Sequence, residues 1–304
     1  MSFKVSARTI LQLGGELISS DGIAFYELIK NSFDATAKRA YVEVAVRLPN
    51  ETWSRAMDQL EEWSEEGCRD EEFDSFKDQL VAAAIPSRIS DDWLEGLDAT
   101  TEVDELLAVV RDANYIQFRD SGHGMTLKDL DEVYLTVGTP NRLNQRAAAK
   151  KAKRREIILG EKGIGRLSAM RLGDRLTVTT ATEEDKHWNE LVIDWRRFSE
   201  IPGQLLEDVD VAPQRGKKKE KGNGTTITIR GLSSNWSEQR VQQIANTDLS
   251  RFTDPFAPKR AFQIAVKWNG TAIPVPRMSD LIEEHAHAKV EAELYYEALS
   301  LIHI

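Results

Sequence analysis

Apolar and polar positions along the chain alternate between two periods, and the switches between them mark out most of the elements. Residues 5–20 carry helical spacing that Gly14-Gly15 is expected to interrupt. Asp21 then reads as the N-cap of a second helix, in which Ile23, Tyr26, Leu28, Ile29 and Phe33 mark the buried side. Residues 39–47 alternate apolar and charged, the pattern of a half-buried strand, and Pro49-Asn50 ends it. Over 51–112 the spacing turns helical again, with breaks at Gly67 and Pro86, which predicts a helical insertion between two strands. Strands follow at 115–119, 175–180, 188–194 and 224–230, with helices at 127–137, 167–172 and 238–245. The run 215–224 reads as a flexible connection. Residues 262–270 read as a strand closed by an Asn-Gly turn, and 289–295 alternate like a strand although they tolerate helix.

Composition narrows the class. A chain of 304 residues has a length prior of about two domains and can bury a sizeable core. No run approaches the roughly 18 apolar residues of a membrane span, and Met-Ser-Phe-Lys-Val-Ser lacks the apolar core of a secretion signal. The lone Cys68 excludes an internal disulfide and fits a cytoplasmic location. Five histidines and one cysteine show no metal-site spacing. The net charge of -10 disfavours wholesale nucleic-acid coating and leaves only local basic patches for such a role.

Candidate chemistry lies where polar residues break the pattern. Glu27, Asn31 and Asp34 fall at i, i+4 and i+7 and so share one helix face. Such a trio is either a solvated face or a site for a hard cation and a water, with the Asn31 oxygen on Mg²⁺ and Glu27 as base. The strand at 115–119 runs into Asp120-Ser-Gly-His-Gly-Met125, where glycines admit a close backbone approach and Asp120 can accept from an exocyclic amine. A plain glycine-rich loop is the alternative for that turn. The basic run through Lys150, Lys151, Lys153, Arg154 and Arg155 is a solvated segment, a lid over phosphates or a nucleic-acid patch. Gly160-Glu-Lys162-Gly163-Ile164-Gly165-Arg166 precedes an apolar helix, so its backbone N–H groups can cradle phosphate, with Lys162 and Arg166 adding charge. It fits neither a Walker loop nor a dinucleotide fingerprint. The acidic 51–112 segment carries Trp53, Trp63 and Trp93, which serve either internal packing or a protein partner.

In chain order the motifs are Glu-x-x-x-Asn-x-x-Asp-Ala, Asp-x-Gly-x-Gly-Met, Gly-Glu-Lys-Gly-Ile-Gly and Gly-Thr-Thr-Ile-Thr-Ile. Together they resemble the GHKL superfamily of ATPases, which includes gyrase B, heat-shock chaperones, sensor histidine kinases, MutL and MORC proteins. The resemblance covers roughly residues 5–235 apart from the insertion. It implies an α+β two-layer sandwich, a Bergerat-type mixed sheet backed by helices. Residues 1–250 would form the ATP-binding domain, with 251–304 beginning a second α/β unit. By the same resemblance Glu27 is the general base, Asn31 the Mg²⁺ ligand, and Asp34 a supporting residue. Asp120 takes the adenine amine with Thr225 assisting, and Gly122, Gly124 and Met125 line the base pocket. Gly160, Lys162, Gly163, Ile164, Gly165 and Arg166 sit at the phosphates, and 138–162 forms the lid.

Asp34-Ala35 stands where a histidine kinase usually reads Asn-Ala, and no histidine precedes the helix. The combination looks closer to the MutL, MORC and chaperone branch, in which ATP closes the lid and drives homodimerisation. The expected activity is slow Mg²⁺-dependent ATP hydrolysis. A phosphotransferase acting on a protein histidine and a non-hydrolysing ATP-binding module are the rivals.

Overall fold

The computed structural model describes residues 4–87, 89–136, 165–199, 201–252 and 262–277. The predicted lid at 138–162 and the strand-like stretch at 289–295 lie outside these. Helices α1 (Ala7–Leu17) and α2 (Asp21–Asp34) lead into strand β1 (Arg39–Ala45). Helices α3 (Asn50–Glu66), α4 (Asp70–Ala83), α5 (Asp91–Asp98) and α6 (Val103–Arg111) separate it from β2 (Tyr115–Asp120). A capped turn, α7 (Leu127–Asp129), continues as a π-helical turn, Leu130–Tyr134. The chain is described again from a 3₁₀ turn, Gly165–Ser168, which runs into α8 (Ala169–Leu172). Then come β3 (Gly173–Ala181), β4 (His187–Asp194), β5 (Gln214–Lys218), β6 (Gly224–Leu232), α9 (Glu238–Ile244), β7 (Gln263–Trp268) and β8 (Thr271–Ile273).

The eight strands form one mixed sheet in the order β5-β4-β3-β6-β2-β1-β7-β8, antiparallel throughout except for the β1–β7 pair. This is the expected α+β sandwich. One sheet face carries Val42, Ile116, Phe118, Leu176, Val178, Ile227 and Ile229, all buried with Phe25, Leu28 and Ile29 of α2. Phe25 meets Phe118 edge-on at 5.1 Å and stacks on Trp236 at 5.4 Å, which seats the middle of α2 on the sheet. β7 and β8 belong to this same sheet, joined by a turn in which Asn269 and Gly270 both have positive φ. Among the described residues no helix is long and apolar enough to cross a membrane.

The segment between β1 and β2 has its own apolar cluster, built on Leu48, Leu60, Leu80, Leu97, Leu106 and Val110. Asn114 fastens its two ends: its side-chain oxygen accepts from the Arg47 and Leu48 backbones, and its amide donates to the Leu48 carbonyl at 2.8 Å. Trp53 and Trp93 donate to the carbonyls of Val110 and Val109, and Trp63 packs edge-on against Phe76. All three tryptophans thus serve the internal packing of the insertion.

Four local expectations change. Ile23, expected on the buried side of α2, is exposed. α1 runs unbroken through Gly14, and a β-carbon there would lie 2.6 Å from the Met170 sulfur, so the glycine lets α8 come close. The N-cap of α2 is Ser20, whose hydroxyl accepts from the Ile23 N–H, and Asp21 is the first helical residue. The basic stretch expected to be a free connection contributes β5, paired with the edge of β4. Its cations suit an outermost strand, where charge discourages further pairing.

Candidate functional site

Three strands present matching rungs to α2. Ile116, Ile229 and Leu176 lie side by side, and so do Phe118, Ile227 and Val178. The next rung breaks the series: Asp120 opposes Thr225, and Thr225 opposes Thr180. Side chains two residues apart on a strand share a face, so this rung points to the same side as the core. The apolar layer therefore ends in a strip made of a carboxylate and two hydroxyls.

The strip is tightly bonded. The Ser32 hydroxyl of α2 donates to Asp120 Oδ2 at 2.9 Å, and the Gly122 N–H donates to Oδ1 at 2.8 Å. Thr180 Oγ1 lies 2.9 Å from Thr225 Oγ1 and also accepts from the Met125 N–H at 3.0 Å. Asn189 donates to the Met125 carbonyl and Asn223 to the Gly122 carbonyl. Burial raises the Asp120 carboxyl above its ordinary value, and the donors from Gly122 and Ser32 oppose that shift only in part. A carboxylate held at the edge of an apolar layer, with oxygen lone pairs to spare, is a strong acceptor for an amine.

Glycines set the approach. At Gly122 a β-carbon would lie 2.6 Å from the Ala35 carbonyl oxygen, and at Gly124, with φ at 69°, it would overlap the Ala181 carbonyl. The turn is thereby pressed against the end of α2, where the His123 N–H donates to the Ala35 carbonyl at 3.0 Å.

Glu27, Asn31 and Asp34 lie on the flank of α2 turned away from Ser32, and all three are half-buried. Both Glu27 oxygens accept from Lys30 Nζ, at 3.0 and 3.3 Å. The 3₁₀ turn Gly165–Ser168 packs against α2. The helix carrying the acid-amide trio, the carboxylate turn and the end of the glycine-rich loop therefore meet around one helix. Gly160, Lys162, Gly163 and Ile164 lie outside the described residues. Among the described residues no group of three or more His, Cys, Asp or Glu side chains is arranged to hold a metal ion. One amide oxygen at Asn31 suits Mg²⁺, which commonly keeps several waters and takes its other ligands from phosphate.

Ser32 and Thr180 did not emerge from the motifs, although a signal for each exists. Ser32 is a polar residue within the apolar stripe of Phe25, Leu28 and Ile29, and only 4% of it is exposed. Thr180 continues the series Leu176, Val178 and is fully buried.

No curated protein matches the chain. The stretch that a family model recognises contains Asp120, Gly122, Gly124, Met125 and Thr225, and begins well after Glu27, Asn31 and Asp34. Residues 97–225 match the family described as histidine kinase-, DNA gyrase B-, and HSP90-like ATPase, which supports the GHKL superfamily and, in general, ATP binding and hydrolysis.

Proposed function

We propose that the chain is a Mg²⁺-dependent ATPase that binds adenine at the Asp120–Thr225–Thr180 rung and uses ATP to drive a conformational or dimerisation switch. The single observation that carries this reading is the polar rung, Thr180 buried and Asp120 and Thr225 half-buried, ending an otherwise apolar face, with Asp120 bonded to Ser32 of α2. Asp120 accepts from the exocyclic amine of adenine, and the carbonyl of guanine would face the same carboxylate unfavourably. Gly122, Gly124 and Met125 bound the base, and Thr225 completes its polar contacts with Thr180 behind it. Asn31 offers its side-chain oxygen to the cation, Asp34 supports that flank, and Glu27 takes the proton from water. Mg²⁺, when bound, would neutralise charge on the phosphate oxygens. Gly160, Lys162, Gly163, Ile164, Gly165 and Arg166 are assigned to the phosphates, and 138–162 to a lid that closes over them.

The fold assignment of residues 1–250 to the nucleotide domain, and of 251–304 to the start of a second unit, belongs to the same proposal. So does placement in the MutL, MORC and chaperone branch, and action in the cytoplasm.

Calorimetry with ATP, ADP and GTP, paired with a phosphate-release assay, tests the reading. ATP should bind with a requirement for Mg²⁺ in turnover, and GTP should not compete. Glu27→Gln should keep ATP affinity and lower turnover by about two orders of magnitude or more. Binding of GTP equal to ATP would remove Asp120 from the base site. Transfer of phosphate to a histidine-bearing protein, with none released, would replace hydrolysis by phosphotransfer.

A further inference from the structure

Lys30 stands one residue before Asn31 and three after Glu27, and its ammonium contacts both oxygens of the Glu27 carboxylate at 3.0 and 3.3 Å. On an exposed helix such a spacing gives a loose pair that stabilises only weakly. This pair is different in its burial. The Lys30 side chain is 12% exposed and that of Glu27 27%, so the lysine side chain is the more enclosed of the two. Tyr26 and Phe33 lie four before and three after Lys30, and so share its flank of α2. Both rings contact Phe252, at 5.2 and 5.9 Å, and Phe252 in turn meets Phe262 at 5.3 Å. The aliphatic stem of Lys30 thus leaves α2 beside an ordered aromatic cluster, and its head is delivered to Glu27.

A general base must have its three side-chain torsions held so that one oxygen faces the water, and a half-exposed glutamate does not meet this alone. A two-oxygen contact from the Lys30 ammonium meets it, since it fixes the plane of the group. Each carboxylate oxygen keeps a further lone pair for water.

We infer that Lys30 is a positioning residue that holds the Glu27 carboxylate aligned for catalysis, without itself contacting nucleotide. This rests on the reading of Glu27 as the base of an ATPase. The ammonium acts only through that carboxylate, so the two residues form one unit whose losses do not multiply.

The test compares Lys30→Met, Lys30→Arg, Glu27→Gln and the double variant Glu27→Gln/Lys30→Met in the full chain. Steady-state phosphate release, ATP and ADP affinity by calorimetry, and melting temperature are measured for each. Methionine keeps the apolar stem and removes the charge. The inference expects Lys30→Met to lower kcat by about 10- to 100-fold, the cost of a misplaced reacting group. ATP affinity should stay within about twofold, Lys30→Arg should recover most of the rate, and the double variant should be no slower than Glu27→Gln. An unchanged kcat in Lys30→Met overturns it. A joint loss of kcat and ATP affinity, with ADP affinity kept, also overturns it by putting the ammonium on the terminal phosphate. Losses that multiply in the double variant do the same. Were Lys30→Met to fail to fold, a Lys30→Arg variant slowed to the level of Glu27→Gln would overturn it, and one retaining most of the rate would support it. Glu27→Gln turning over as fast as the parent would instead defeat the assignment of the base, and this inference with it.

Discussion

The Ser32 hydroxyl donates to the Asp120 carboxylate at 2.9 Å, joining α2 to the end of β2 across 88 positions of sequence. Ser32 is one of the donors that keep Asp120 usable as an anion, beside the backbone N–H groups of Gly122 and Thr225. Ser32→Ala should leave the fold in place, because the side chain shrinks by a single atom. It should raise the Asp120 pKa further and weaken ATP binding by about three- to tenfold, the net worth of roughly one hydrogen bond felt through Asp120. Calorimetric titration of the two proteins with ATP checks it.

Asp120→Asn should separate binding from stability. Burial lifts the Asp120 carboxyl above the ordinary 3.8, so the folded chain keeps a proton where the unfolded chain has already lost it. The stability this group contributes is therefore greatest below the unfolded value and is lost as pH rises through the folded one. At pH 7 the buried charge is a cost, which asparagine removes. The variant should melt at the same temperature as the parent or higher at pH 7, and the gap should narrow toward pH 4. ATP affinity should meanwhile fall about 10- to 100-fold, in line with loss of a charge-assisted bond. Melting curves across that pH range, with and without ATP, decide both halves.

Gly122→Ala and Gly124→Ala test how far the turn depends on backbone contact. An added methyl at Gly122 meets the Ala35 carbonyl and its β-carbon, neither of which can rotate aside. At Gly124 the strain of a positive φ is added to overlap with the Ala181 carbonyl. Each substitution should cost roughly 1–3 kcal/mol, with Gly124 the worse. Gly122→Ala should also lower ATP affinity by pushing the turn off α2. Gly67→Ala, at a positive φ with nothing within 4 Å, should cost less and leave affinity alone. Chemical denaturation and ATP titration of the three variants give the order.

Most of the longer strands were legible because they carry a period of two over five or more residues, as in 224–230. The site motifs were legible for a different reason: glycines and carboxylates interrupt that period at Asp120 and Gly122. Ser32 and Thr180 were harder to see, because a hydroxyl in an apolar stripe reads as a tolerated exception until its partner is known. Those partners, Asp120 and Thr225, sit 88 and 45 positions away. The close approach of Met170 to α1 at Gly14 had no local signal at all, since the two lie far apart in sequence. The same holds for β5, whose cationic sequence looks like a loop and becomes a strand only because β4 offers it an edge.

Asp21 gives the last expectation, and it turns on an asymmetry of charge. Its carboxylate is 6% exposed and is bonded both to Arg171, which closes the segment after the glycine-rich loop, and to Arg240 of α9. The two arginine side chains are 42% and 36% exposed, whereas Asp21 is enclosed and relies on its partners. Arg240 is further held by stacking on Trp236 at 5.0 Å. Asp21→Asn leaves two cations facing each other with no anion between them, and should destabilise by roughly 1–3 kcal/mol. Arg171→Gln leaves a single matched pair, Asp21 with Arg240, and should cost under about 1 kcal/mol. Because the carboxylate is enclosed, the loss in Asp21→Asn should change little between 0.05 and 0.5 M salt, where screening acts mainly on exposed charges. Urea unfolding of both variants at the two salt concentrations measures this; equal losses, or a loss in Asp21→Asn that vanishes in high salt, would show that Asp21 is an ordinary surface charge.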